Sequence, residues 1–179
     1  MEVAEFLFKN GADARAPANY GWTPLHQASR GGHVDVTTFL VKHGANVTAE
    51  NTDGWAPLHV SSRYGRVEVA RFLLEHGVNA MAPLKNGWTP LHIASRGGHL
   101  EVVRLLVERG ADARTQAKDG STPLHLASRG GHVCVSRVLL QCGADPAVHN
   151  NMNHTPFDEI SAGGYRRILQ LLSNYKAEG

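Results

Sequence analysis

Eleven of the 179 residues are histidines, whose side chains could do chemistry. Imidazole is a common metal ligand and general base, but a catalytic or metal site needs side chains that converge on one point. Most of these histidines instead recur at regular intervals in two series: His26, His59, His92 and His125, and His33, His99 and His132. Even spacing favours a structural role, in which buried histidines hydrogen-bond the start of a helix and the adjoining turn. A histidine-based metal protein is the more distant alternative.

The serines and cysteines also lack the neighbouring residues that catalysis or metal binding requires. The serines of a third regular series have no base and orienting acid set beside them: Ser29, Ser62, Ser95, Ser128 and Ser161. Cys134 and Cys142 do not have zinc-finger spacing, and neither an H-E-x-x-H run nor a phosphate-binding glycine motif is present. We therefore expect a protein that is not an enzyme, with no cofactor, no metal and no small-molecule substrate.

The regular intervals come from a repeated stretch, whose fullest copy is Gly87-Trp88-Thr89-Pro90-Leu91-His92-Ile93-Ala94. Its proline recurs every 33 residues: Pro24, Pro57, Pro90, Pro123 and Pro156. A fixed period of this size indicates a stack of supersecondary units, each of which buries its apolar side against its neighbours.

The sequence resembles the ankyrin-repeat family, which has this period and a T-P-L-H-x-A signature. The resemblance covers nearly the whole chain. It implies an all-α fold, an ankyrin-repeat solenoid of stacked helix-turn-helix units with protruding hairpin-like fingers. We expect a single array over residues 1–179, divided as follows: a half repeat at 1–17, full repeats at 18–50, 51–83, 84–116 and 117–149, and a C-terminal capping repeat at 150–179.

Local signals within one repeat agree with this division. The hydroxyl of Thr89 can cap the first helix, and Pro90 suits the first helical position. Gly97-Gly98 stops that helix, and a second helix with a broad apolar face begins near His99 and ends at Gly110.

The two ends of the chain differ from the interior repeats. Residues 2–15 match the second helix of later repeats but have no first helix before them, and Phe6-Leu7-Phe8 is apolar where a terminal repeat is usually polar. We therefore hypothesise a fragment of a longer array or of a multidomain protein. In the last repeat, Arg166-Arg167 and the helix that follows keep an apolar stripe with a polar outside, as a cap should.

Composition narrows the class further. The formal net charge of +2 is far from the basic excess of a dedicated nucleic-acid binder, and no apolar run approaches the roughly 20 residues of a membrane span. Cys134 and Cys142, eight positions apart on one predicted helix, lie about 12 Å apart, beyond disulfide reach. Although the sequons at Asn46 and Asn153 favour a secreted protein, we expect an intracellular, cytoplasmic protein, with the nucleus as an alternative.

The resemblance implies that a partner binds the concave surface formed by the fingers and first helices. Tryptophan and arginine, which are enriched at binding hot spots, form two regular series that map onto this surface: Trp22, Trp55 and Trp88 before the Thr-Pro or Ala-Pro pair, and Arg30, Arg63, Arg96 and Arg129 at the end of the first helix. Tyr20 and Tyr64 add exposed aromatic side chains, and Arg66 replaces a histidine beside Tyr64.

We therefore predict a non-catalytic protein-protein interaction scaffold that takes a partner protein or peptide on its concave face and finger tips. An extended or helical peptide with aromatic or aliphatic anchors and some acidic residues would suit this surface. We expect no nucleic acid or membrane as partner. Two alternatives remain open: both series could be repeat-consensus residues, with tryptophan shielding the finger base and arginine a solvated helix end, or the chain could be the recognition segment of a larger signalling protein or enzyme.

Overall fold

A computed structural model of the chain describes residues 2–160. Its contacts divide the chain into two compact units, Met1–Asn79 and Ala80–Gly179. Among the described residues every regular element is helical, which confirms the all-α class for this part of the chain. The second helix predicted for the last repeat, near residues 166–174, lies outside the described residues.

The first unit contains five α-helices and one short 3-10 turn. They are α1 (Glu2–Lys9), the 3-10 turn (Asn19–Gly21), α2 (Pro24–Gly31), α3 (Val34–Lys42), α4 (Pro57–Arg63) and α5 (Val67–Glu75). The first helices of neighbouring repeats, α2 and α4, pack side by side, and the second helices α3 and α5 do the same. An apolar cleft of about 450 Å³ lies between α1 and the α2–α3 pair and is lined by Leu7, Phe8 and Phe39 among others.

The second unit repeats this arrangement. It contains α6 (Pro90–Gly97), α7 (Leu100–Glu108), α8 (Pro123–Arg129) and α9 (Val133–Gln141). The first helices α6 and α8 pack together, as do the second helices α7 and α9. In both units the leucine after each helix-starting proline is almost fully buried: Leu25, Leu58, Leu91 and Leu124. Each of these four repeats therefore buries a leucine at the start of its first helix.

Three histidines of the first series, His26, His92 and His125, tie the start of their helix to the next finger. The backbone N–H of Thr89 donates to Nδ1 of His92 at 3.2 Å, and the Thr89 hydroxyl lies 2.9 Å from the same nitrogen. Nε2 of His92 then donates to the Ser121 carbonyl at 3.2 Å. The predicted threonine cap is thus a threonine–histidine pair. His26 and His125 make the same contacts, which confirms the structural role of these three histidines. His59 Nδ1 accepts the Ala56 N–H at 3.1 Å, as at the other helix starts.

The second histidine series differs from the prediction, because His33 is exposed rather than buried. This position lies at the outer start of the second helix. A histidine at this position can hydrogen-bond a backbone carbonyl of the preceding repeat, as His132 does: its Nε2 donates to the Arg96 carbonyl at 3.0 Å. Arg66 occupies the equivalent position in the first unit, and its Nε donates to the Arg30 carbonyl at 2.9 Å. Arg66, which the sequence marked as unusual, therefore makes the same kind of bond as the histidine it replaces.

The fingers are closed turns joined by main-chain hydrogen bonds. In the finger of the second repeat, the Asn51 N–H donates to the Trp55 carbonyl at 3.0 Å. Adjacent fingers are linked by hydrogen bonds such as those from the Thr52 N–H to the Tyr20 carbonyl and from the Lys118 N–H to the Asn86 carbonyl, both at 3.0 Å. The finger tips of each unit are thereby held in register.

Candidate interaction surface

The three tryptophans lie at the finger bases and are half-buried. The Trp22 ring is 5.3 Å from the ring of His26, and the Trp55 ring is 6.2 Å from that of His59. Each of these two indoles therefore packs against the structural histidine of its own repeat while part of its surface stays accessible.

The arginine series is exposed, and three of its members stack on aromatic rings. The guanidinium carbon of Arg63 lies 5.5 Å from the Trp55 ring centroid, and that of Arg96 lies 5.2 Å from the Trp88 centroid. Arg30 lies 5.4 Å from the ring of Tyr64 instead. These distances are within the range of cation–π attraction. The structure thus brings residues of the two predicted series together in pairs.

Arg129 binds a carboxylate. In the repeat of Arg129 the tryptophan position is occupied by Ser121, which has no ring. Arg129 Nε donates to Glu159 Oε2 at 2.8 Å, and Arg129 Nη2 lies 2.6 Å from the same oxygen. Asn150 Nδ2 donates to Glu159 Oε1 at 2.9 Å, and His154 Nδ1 is 3.5 Å from that oxygen. Burial raises the pKa of Glu159. The hydrogen bond from Arg129 and its positive charge lower that pKa, as do the hydrogen bonds from Asn150 and His154. The lowering effects are larger in sum, so the pKa is lowered and the carboxyl is held ionised.

The two predicted tyrosines occupy different places. Tyr20 is 78% exposed at a finger tip with a φ of +58°, and its carbonyl anchors the next finger. Tyr64 is 37% exposed at the end of α4, where it meets Arg30. At the corresponding place the other repeats have glycine.

A notch of about 160 Å³ lies in the first unit between the indoles of Trp22 and Trp55. Its remaining lining residues are Asn51, Asp53, Val60, Arg63 and Tyr64. A shallower hollow of about 440 Å³ shares Trp22 and includes Gln27 and Arg30. Four of the predicted residues therefore line one small depression.

Asn51 and Glu159 are site residues that the sequence reasoning missed. Both depart from their repeat positions: the equivalents of Asn51 are Ala18, Leu84 and Ala117, apart from Asn150 in the last repeat. Glu159 stands where three of the repeats have an aliphatic residue. Polar residues at otherwise apolar repeat positions are the signal by which both could have been found.

Metal ligation and membrane insertion each need a particular local arrangement of residues. Within residues 2–160 no group of three or more His, Cys, Asp or Glu side chains is placed to hold a metal ion. None of the helices in the same range has the length and apolar character needed to cross a membrane.

Comparison with known proteins identifies the class of this fold. The sequence matches the family described as ankyrin repeats (3 copies) over residues 1–83, 47–117, 79–150 and 109–178. The chain belongs to the ankyrin-repeat family. Ankyrin repeats are generally protein–protein interaction modules, and domains built from them are typically non-catalytic. No curated protein matches the sequence.

Proposed function

We propose that this chain is a non-catalytic scaffold that binds a partner protein or peptide through its fingers and first helices. The observation that carries the proposal is the stacking of exposed arginines on aromatic rings, seen at Arg63 on Trp55 and at Arg96 on Trp88. Stacking on a ring limits the motion of the arginine side chain. Less conformational entropy is then lost when a partner binds.

The chemistry of the surface indicates the kind of partner. Half-buried indoles offer apolar contact area with little side-chain freedom to lose, and arginine supplies forked donors for carboxylates. A peptide with aliphatic or aromatic anchors and acidic residues suits both. An intracellular location, typical of ankyrin repeats, goes with this proposal.

The test replaces the tryptophans. A variant with Trp55→Ala and Trp88→Ala should bind a partner recovered from native lysate more weakly by over 2 kcal/mol, or roughly thirtyfold, because hot-spot truncations have about this cost. Circular dichroism should show unchanged helical content. Arg104→Ala with Arg137→Ala, exposed positions on the second helices α7 and α9, provides the matched control and should bind normally. Full binding by the tryptophan variant would refute the proposed surface.

A further inference from the structure

The last repeat shows what an arginine of this series binds when no ring holds it. Arg129 and Asn150 together grip the carboxylate of Glu159, which is almost completely buried. Asn150 is oriented for this task, because its Oδ1 accepts the N–H groups of Met152 and His154, both at 3.0 Å. Its Nδ2 is therefore turned towards the carboxylate.

Asn51 occupies the equivalent position three repeats earlier and is oriented in the same way. Its Oδ1 accepts the N–H groups of Asp53 and Trp55, both at 2.9 Å. The side chain lines the notch and the residue is only 7% exposed. Its Nδ2 makes no hydrogen bond to any of the described residues. Asn51 Nδ2 is not among the fully buried atoms without a partner, so it is accessible from the notch. There it can donate a hydrogen bond to a ligand that accepts one.

The residue that would supply the carboxylate from within the chain is missing at this site. Val60 stands where the last repeat has Glu159. Valine is too short and has no acceptor, and the space beside it is the notch of about 160 Å³. That volume suits one side chain, and the indole walls suit the methylene groups of its stem.

Charged side chains of both signs lie at the notch, and their balance favours binding of an anion. Arg63 lines it and stacks on Trp55, and Tyr64, which also lines it, holds the guanidinium of Arg30. Asp53 is the opposing charge at the rim, where it is exposed to solvent. Two guanidinium groups therefore accompany the amide donor against one solvated carboxylate.

We propose that the notch between Trp22 and Trp55 binds a glutamate side chain of the partner, with Nδ2 of Asn51 as donor and the neighbouring arginines as counter-charge. This inference rests on the proposed function and specifies the chemistry of the bound segment: an acidic residue beside an aliphatic one. The partner's glutamate takes the place that Glu159 takes in the last repeat.

Blocked peptides provide a direct test on the ¹⁵N-labelled full chain. The peptide acetyl-Leu-Glu-Leu-amide should shift the side-chain amide signal of Asn51 and the indole signals of Trp22 and Trp55. Its affinity should be about tenfold higher than that of acetyl-Leu-Gln-Leu-amide, because charge-assisted hydrogen bonds are roughly twice as strong as neutral ones. Asn51→Asp keeps the oxygen that orders the finger but removes the donor, and should weaken binding of the Glu peptide at least tenfold. Asp53→Asn should strengthen it.

Other ligand chemistries give different results in the same assay. Preference for acetyl-Leu-Lys-Leu-amide, weakened by Asp53→Asn, would mean that the aromatic walls hold a cation and would overturn the proposal. Equal affinity for acetyl-Leu-Gln-Leu with a free C-terminus would mean a main-chain carboxylate and would overturn the glutamate assignment. Shifts from neither the Glu nor the Gln peptide, or equal shifts from both, would overturn it as well.

A variant that supplies the carboxylate from within the chain needs no peptide affinity. Val60→Glu should fold and should abolish peptide binding by filling the notch, as Glu159 does in the last repeat. Leu126→Glu is the matched control, since its repeat has Ala117 in place of the asparagine, and it should lower the melting temperature more. A larger loss for Val60→Glu would refute the donor site. If these tests fail while the tryptophan variant still loses its partner, the interaction surface stands and the glutamate assignment alone is wrong.

Discussion

His92 makes the stability of this protein depend on pH, and the size of the effect follows from its surroundings. Its Nδ1 accepts the Thr89 N–H, and its Nε2 donates to the Ser121 carbonyl. These partners require the neutral ring with its proton on Nε2. Burial lowers the pKa of His92 to about 4, against the weaker raising effects of the Ser121 carbonyl and the Asp119 charge.

The sign follows from the protons bound in each state. The unfolded chain takes up a proton near the ordinary histidine pKa of about 6.5, whereas the folded chain does so only near 4. Between these values the unfolded state binds more protons, so stability falls as the pH falls. A difference of about 2.5 pKa units at 1.36 kcal/mol each gives a loss of about 3 kcal/mol between pH 7 and pH 4.

Urea unfolding at a series of pH values measures this loss. His92→Gln cannot titrate, so it should be less stable at pH 7 but show a pH dependence flatter by about 3 kcal/mol over this range. Leu91→Ala, which truncates the fully buried neighbour, is the control: it should lower stability by about 2–5 kcal/mol at every pH and leave the slope unchanged. Parallel curves for His92→Gln and the wild type would refute the reasoning.

Two other predictions concern the second unit. Gly110→Ala should lower the free energy of unfolding by about 1 kcal/mol, because this glycine has a φ of +89° but open space where the new methyl group would lie. Gly87→Ala should lower it by at least about twice as much, because its Cβ would lie 2.9 Å from the Lys118 nitrogen. Equal losses in urea unfolding would contradict this prediction. Glu159→Gln should lower stability at pH 7 by about 1.5–3 kcal/mol through its weakened bonds to Arg129. The pKa of Glu159 is lowered in the folded state. The stability difference between wild type and variant should therefore be present at pH values above the unfolded-state pKa and should vanish as the pH falls through the folded-state pKa. A variant as stable as the wild type at pH 7 would argue against this prediction.

The regular residues of the sequence were enough to predict the helical repeat and the role of the first histidine series. The equivalents of Pro90 begin a helix and the equivalents of Leu91 are buried in all four full repeats, so the period in the sequence predicts a period in the structure. The second histidine series shows the limit of that reasoning: Arg66 and His132 both reach a carbonyl of the preceding repeat. Spacing alone does not show whether such a side chain is buried.

The candidate site was only partly predictable because it depends on departures from the period. Tyr64 stands where other repeats have glycine, and Arg30 stacks on its ring. Ser121 stands where other repeats have tryptophan, and Arg129 pairs with the carboxylate of Glu159 instead of a ring. Identical arginines therefore have different partners, decided by one neighbouring side chain each. In the proposed glutamate site, one such departure is added to the regular tryptophans and arginines: Asn51, which has alanine or leucine at the equivalent position in three other repeats and supplies a donor at the notch.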